Sequence, residues 1–140
     1  MTRKVPAPLR RAVAARAKEI CEYCRCQYKF SQDSFDIEHI TPQAKGGPTI
    51  LENLALACHG CNSAKSDRVL VWDEINAVSV PLFHPRLHSW GEHFVWSYDF
   101  IQILGVTPIG RATVRALQMN RPGLLNQRRV LRLAGEHPPA

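Results

Sequence analysis

Cys21-Glu22-Tyr23-Cys24 and Cys58-His59-Gly60-Cys61-Asn62 are the two stretches that decide how this chain is read. Each Cys-x-x-Cys turn brings two sulfurs to one side of a knuckle, and two knuckles supply four thiolates at about 2.3 Å from one tetrahedral zinc ion. A redox motif needs only one such pair, so the second pair counts against that use. The chain has 5 cysteines, an odd number that leaves a complete disulfide framework unsupported. Cys21, Cys24, Cys58 and Cys61 are therefore expected to hold structural Zn²⁺. Cys26 is expected to be a nearby bystander thiol, able to swap for Cys24.

Working outward, the knuckles bracket a second polar set: Glu38-His39, Asn53, and Asn62 directly after Cys61. Lys65 lies three residues beyond Asn62, on the same helix face. Residues 6–20 read as a helix, because Leu9, Val13 and Ala17 recur at helical spacing. Tyr28–Phe30 and Phe35–Ile40, around a polar turn, read as a short hairpin. Thr41-Pro42 and Lys45-Gly46-Gly47-Pro48 are loop chemistry. A helix is expected from Asn62 to about Ala77, and irregular chain from Pro81 to His88. His93–Trp96 and Phe100–Leu104 suggest a second hairpin. Thr107-Pro108 starts a helix with Thr as N-cap and Pro at the first helical position. A last helix is expected over Arg121–Leu133, capped by Asn120. The organisation expected is one domain over 1–140, with a core at 18–77 and an extension at 78–140.

The chain has 140 residues, 45% of them hydrophobic, which is ordinary for a folded protein. No apolar run approaches the length of a membrane span. Met1-Thr2-Arg3-Lys4 is basic with no long apolar stretch after it, so no secretory signal is expected. The formal net charge is +6, which falls to about +4 once four thiolates bind one zinc ion. Between Gly105 and Ala134 stand Arg111, Arg115, Arg121, Arg128, Arg129 and Arg132 with no acidic residue. A basic balance suits an anionic partner such as nucleic acid.

The stretch Cys21 to Arg68 resembles the HNH endonuclease superfamily in its zinc-knuckle branch. The resemblance rests on Cys21-x-x-Cys24, Phe35-Asp36-Ile37-Glu38-His39-Ile40-x-Pro42, Gly46-Gly47, Glu52-Asn53-Leu54 and Cys58-x-x-Cys61-Asn62-x-x-Lys65. It is also similar to phage resolving endonucleases, which have an acid-His pair and a Cys-x-x-Cys-Asn in the same order. The tail resembles those of small stand-alone bacterial HNH proteins through Leu82-Phe83-x-Pro85-Arg86 and Glu92-His93-Phe94.

The resemblance implies an α+β protein with a ββα-metal core and a four-cysteine zinc site, flanked by an N-terminal helix and a C-terminal hairpin plus helices. It implies that His39 is the general base and that Glu38 and Asn62 hold a catalytic Mg²⁺, Mn²⁺ or similar divalent ion. Asn53 would hold the base loop, which makes this an H-N-N variant. A neutral imidazole suits proton removal from water near pH 7. A hard ion suits the carboxylate and amide oxygens, and Lys65 is a candidate phosphate contact. Asp36, on the same strand face as Glu38, is a rival ligand. His59 reads as a plain knuckle residue, and His84, His88 and His93 as surface or core histidines.

The activity implied is hydrolysis of DNA phosphodiester bonds, in double-stranded or branched DNA, by a monomer or homodimer. The chain is expected to be cytoplasmic, bacterial or phage-encoded, without a membrane partner. The tail arginines are candidates for gripping flanking DNA backbone. The rival classes are a non-catalytic zinc-knuckle nucleic-acid-binding module and a zinc-stabilised protein-interaction domain. One conflict stands in the pattern: strand alternation sends Glu38 and His39 to opposite faces unless the strand ends there or the phosphate lies across its edge.

Overall fold

A computed structural model describes residues 5–139, and the basic stretch Met1–Lys4 lies outside them. The elements needed here are α1 (Ala7–Arg16), β1 (Phe35–His39), β2 (Leu54–Cys58), α2 (His59–Lys65), β3 (Leu70–Asp73) and β4 (Val78–Pro81). After them come α3 (Trp90–His93), β5 (Phe94–Trp96), β6 (Ile103–Gly105), α4 (Pro108–Ala116) and α5 (Pro122–Leu133). The described strands form three two-stranded antiparallel sheets, β1–β2, β3–β4 and β5–β6.

The hairpin that matters most is β1–β2, registered from Phe35 opposite Cys58 to His39 opposite Leu54. Its two faces have different partners. Leu54 and Leu56 pack with Val13 of α1, and Phe35 and Ile37 close over them. The opposite face presents Asp36 and Glu38 to Asn62 and Lys65 of α2. Every residue of β2 is buried, so its apolar run is the natural partner for β1. The hairpin expected between Tyr28–Phe30 and Phe35–Ile40 is therefore corrected. Tyr28–Phe30 is a helical turn, whose Tyr28 ring stacks on Phe35 with centroids 5.4 Å apart.

The helix expected to reach Ala77 stops at Lys65, because Ser66 takes a left-handed backbone with φ 54. Leu70-Val71-Trp72 then follows β-branched and aromatic preference into a strand. The β3–β4 hairpin straddles the 77/78 boundary read from sequence. In the extension, Thr107 caps α4 by accepting from the Gly110 N–H at 3.0 Å. Gly110 is required there: a Cβ would stand 2.0 Å from the His93 carbonyl oxygen. Asn120 does not cap α5. It donates to the Ile103 carbonyl and accepts from the Ile103 N–H, both at 2.8 Å, tying α5 to β6.

One apolar cluster runs through Tyr23, Ala57, Phe83, Phe94, Ile103, Leu117 and Leu124, so knuckle and extension share a core. Arg128 is built into it. Its side chain is 3% exposed and donates to the carbonyls of Ile101 (3.0 Å), Met119 (2.7 Å) and Cys24 (3.5 Å) and to Asn120 Oδ1 (3.0 Å). It is an internal tie, not a DNA contact. Arg128→Ala would leave several buried acceptors unpaired, so stability should fall by about 3 kcal/mol. Urea unfolding checks this, and an unchanged midpoint would contradict the role.

Candidate active site

The two knuckles bring the cysteines together as their spacing requires. The Sγ atoms of Cys21, Cys24, Cys26 and Cys58 all lie within 4.8 Å of one another. Cys61 lies beside the set, its N–H donating to Cys58 Sγ at 3.4 Å. Interactions with Cys21, Cys26 and Cys61 hold Cys24 and Cys58 below the ordinary thiol range. A cluster of soft, buried sulfur donors fits zinc. Cys26, expected as a bystander, belongs to the converging set.

Sequence reasoning missed Arg121. Its guanidinium donates to Cys58 Sγ at 3.3 Å and to Cys61 Sγ at 3.7 Å, and also to the Leu117 and Gln118 carbonyls. Burial alone would lower its pKa, but the Cys61, Cys24 and Cys58 thiolates outweigh it and raise it. Gly60 makes room for this contact, since a Cβ there would lie 2.5 Å from the guanidinium. The only signal in the sequence was an arginine one residue before Pro122 in a basic tail.

The opposite end of the β1–β2 hairpin carries His39. Its Nε2 lies 2.9 Å from Thr49 Oγ1, and burial, then the Lys65 charge, lowers its pKa from the usual 6.5. The loop around it is clasped by Asn53, whose Nδ2 donates to the Thr41 carbonyl (3.0 Å) and the Pro48 carbonyl (2.9 Å). Asn53 Oδ1 accepts from the Thr41 N–H at 2.9 Å. Asn53 is thus buried between the two arms of the loop. Gly47 is required in this clasp: a Cβ would fall 1.7 Å from the Thr41 carbonyl oxygen.

Two expected roles are overturned by burial. Lys65 is 1% exposed, with Nζ 3.1 Å from Glu38 Oε2 and bonded to the Ile40 carbonyl at 2.9 Å. It cannot reach a phosphate. The Glu38 side chain is 3% exposed, its other oxygen takes the Tyr23 hydroxyl, and it offers no oxygen to solvent. Burial raises its pKa, opposed by Lys65 and Tyr23. Glu38 therefore reads as the anchor of a buried triad, not as the acidic ligand of an exchangeable ion. Asn62 instead meets Asp36, with Nδ2 donating to Oδ2 at 3.0 Å. His59 joins the same oxygen through Nδ1 at 3.1 Å, so it is more than a plain knuckle residue. Asp36, His59 and Asn62 form the partly open polar set on the α2 face.

Hairpin, helix and cysteine cluster make a ββα-metal core within an α+β chain. Residues 21–68 match the profile of the HNH endonuclease family, over about a third of the chain. The match is to a nuclease-type domain and covers this segment of the chain alone. Neither curated proteins nor solved structures returned a match to the chain. Among the described residues, no helix is long and apolar enough to cross a membrane.

The sulfur contacts of Arg121 would make it an outer partner of a zinc ion held by these cysteines. Partners of this kind change metal affinity by about 10–100-fold when removed. Arg121→Ala should therefore speed zinc loss to a chromogenic chelator by at least about tenfold. Gly60→Ala, which displaces the same guanidinium, should act in the same direction. Wild-type release rates in both variants would contradict the assignment.

Proposed function

We propose that this protein is a metal-dependent endonuclease that hydrolyses DNA phosphodiester bonds, with His39 as general base. The observation that carries the reading is the state of the His39 ring, within a segment of HNH type. Nε2 is occupied by Thr49. Nδ1 has no partner among the described residues and is not buried. A proton on Nε2, directed at the Thr49 hydroxyl, leaves a lone pair on Nδ1 facing solvent. The lowered pKa keeps the ring neutral at pH 7, the form a base must have.

We place both halves of the site along the strand-free edge of β1, which pairs only with β2 among the described strands. A phosphate lying across that edge has His39 on one side and Asp36 with Asn62 on the other. Asp36 and Asn62 would be the oxygen donors for a Mg²⁺- or Mn²⁺-type ion, which would supply Lewis-acid polarisation of the phosphate and charge neutralisation at the leaving oxygen. His39 Nδ1 takes the proton of the attacking water as the new P–O bond forms and the strand's P–O bond breaks. Asn53, by holding Thr41 and Pro48, keeps the loop beside His39 in position. The cysteine cluster, loaded with zinc, would hold α2 against the hairpin through Cys58 and Cys61.

Three variants test this together on plasmid and linear duplex, with an RNA control. His39→Ala should stay folded and zinc-loaded yet lose about 10²–10⁴-fold in cleavage rate. Asp36→Ala should keep its melting temperature and need at least about tenfold more Mn²⁺ for half-maximal rate. Glu38→Gln should instead lower stability, by about 3 kcal/mol or more, because it leaves Lys65 buried without its charge partner. Full cleavage by His39→Ala would overturn the mechanism, and a normal ion requirement in Asp36→Ala would overturn the ligand assignment.

The pH dependence follows from the His39 shift. Its pKa in the folded protein lies below 6.5, so the rate should rise with pH through a point below 6.5 and be level above it. An acid limb centred above that value would contradict His39 as the base.

A further inference from the structure

Beside the turn that carries His39 lies a cleft of about 210 Å³. Ile40, Thr41 and Lys65 line it from the hairpin and α2, while Leu82, His84 and His88 line it from the segment after β4. Nothing in the proposed mechanism uses this cleft or its two histidines.

The hydrogen bonds fix the tautomer of both rings. The backbone N–H groups of Arg86 and Leu87 donate to His84 Nδ1 at 3.1 and 3.2 Å. The backbone N–H of His84 donates to His88 Nδ1 at 3.0 Å. A backbone amide only donates, so both Nδ1 atoms carry lone pairs and both ring protons sit on Nε2. Neither Nε2 has a partner among the described residues, and neither is buried. Burial and the neighbouring imidazoles lower both pKa values, so the rings are neutral donors near pH 7. This tautomer excludes a second metal site, since an ion would need the Nε2 lone pair.

The rest of the lining selects among acceptor ligands. Val69, Leu82, Phe83 and Leu87 make much of the wall apolar. Lys65 is committed to Glu38, and Arg68 donates to the Ala64 and Ala116 carbonyls. A phosphate would lose its hydration against these apolar walls, with the Arg68 donors already turned to backbone carbonyls. A planar heterocycle presents apolar faces together with carbonyl or ring-nitrogen acceptors, and it matches both features.

We propose that this cleft receives an unstacked nucleobase of the substrate strand next to the cut, a role that rests on the nuclease reading. His84 and His88 donate from Nε2 to the acceptor edge of the base. Leu82, Leu87 and Val69 cover its faces, and the base gains hydrogen bonds that offset part of the loss of stacking.

The test uses zinc-loaded full-length protein with ¹⁵N-labelled histidine. Thymidine and deoxyguanosine should shift the Nε2–H signals of His84 and His88, whereas inorganic phosphate and deoxyribose 5-phosphate should not. His84→Asn with His88→Asn keeps an oxygen where Nδ1 accepts the backbone N–H and removes the Nε2–H donors. This double variant should melt like the wild type and bind DNA about tenfold more weakly, the loss of two hydrogen bonds. It should also abolish the fluorescence rise of 2-aminopurine placed beside the cleaved bond.

Silent histidines with nucleosides, shifts with phosphate alone, or wild-type DNA affinity in the folded double variant would each overturn the proposal. The two readings fail separately. DNA cleavage with silent histidines removes only the nucleobase cleft. Nucleoside shifts without cleavage under any divalent ion remove the nuclease reading and leave a nucleobase-binding cleft.

Discussion

The convergence of the cysteine sulfurs is the constraint on which the rest of the structure depends. Neither sheet nor helix in the core is long: β1 and β2 have five residues each and α2 has seven. Elements of this size bury too little surface to fix their mutual orientation unaided. The cluster supplies what packing lacks, because Cys58 ends β2, Cys61 lies inside α2, and Cys21 and Cys24 come from the chain before β1. Arg121 then carries the same centre into the extension through its hydrogen bonds to Cys58 and Cys61. Cysteine cluster, hairpin and C-terminal helices are in this way coupled, and the extension is part of the core it covers.

Opposed to this anchor is a buried charge device on the same hairpin face. Glu38, Lys65 and Tyr23 satisfy one another where water is excluded, and Lys65 also holds the carbonyls of His39 and Ile40. The backbone that carries His39 is therefore positioned from inside by Lys65 and from outside by the Asn53 clasp. The ion pair has this geometric value whatever its net contribution to stability, which desolvation largely cancels in pairs of this kind.

What could be read in the sequence was the part with strict spacing. The converging Cys-x-x-Cys turns, the Thr107 cap and the β5–β6 region carry local signals that tertiary packing did not override. The misses have identifiable causes. Ser66 broke α2 through a left-handed backbone that no residue preference announces, and Leu70-Val71-Trp72 was counted into the helix although its residues favour a strand. Tyr28–Phe30 looked like a strand by composition but lost β1 to the buried run Leu54–Cys58. Glu38 and Lys65 were assigned by their place in a motif, whereas their burial depends on Tyr23, which the motif does not include. The tail arginines looked like a DNA grip. Arg128 is internal and Arg121 faces sulfur, while Arg111 and Arg115 pair with Asp73 and Glu74. Charge counted along the chain did not reveal which cations are already neutralised.

On the proposed reading, a hairpin anchored by cysteine sulfurs presents a neutral His39 for hydrolysis of nucleic acid. This claim is tested most directly by following supercoiled plasmid incubated with the zinc-loaded protein, with Mg²⁺ or Mn²⁺ and then with excess chelator. Nicked plasmid should accumulate with the divalent ion and stop on chelation, under conditions where zinc stays bound. Salt-dependent binding of the plasmid with no cleavage in any divalent ion would contradict the claim and leave a zinc-knuckle nucleic-acid-binding module in its place.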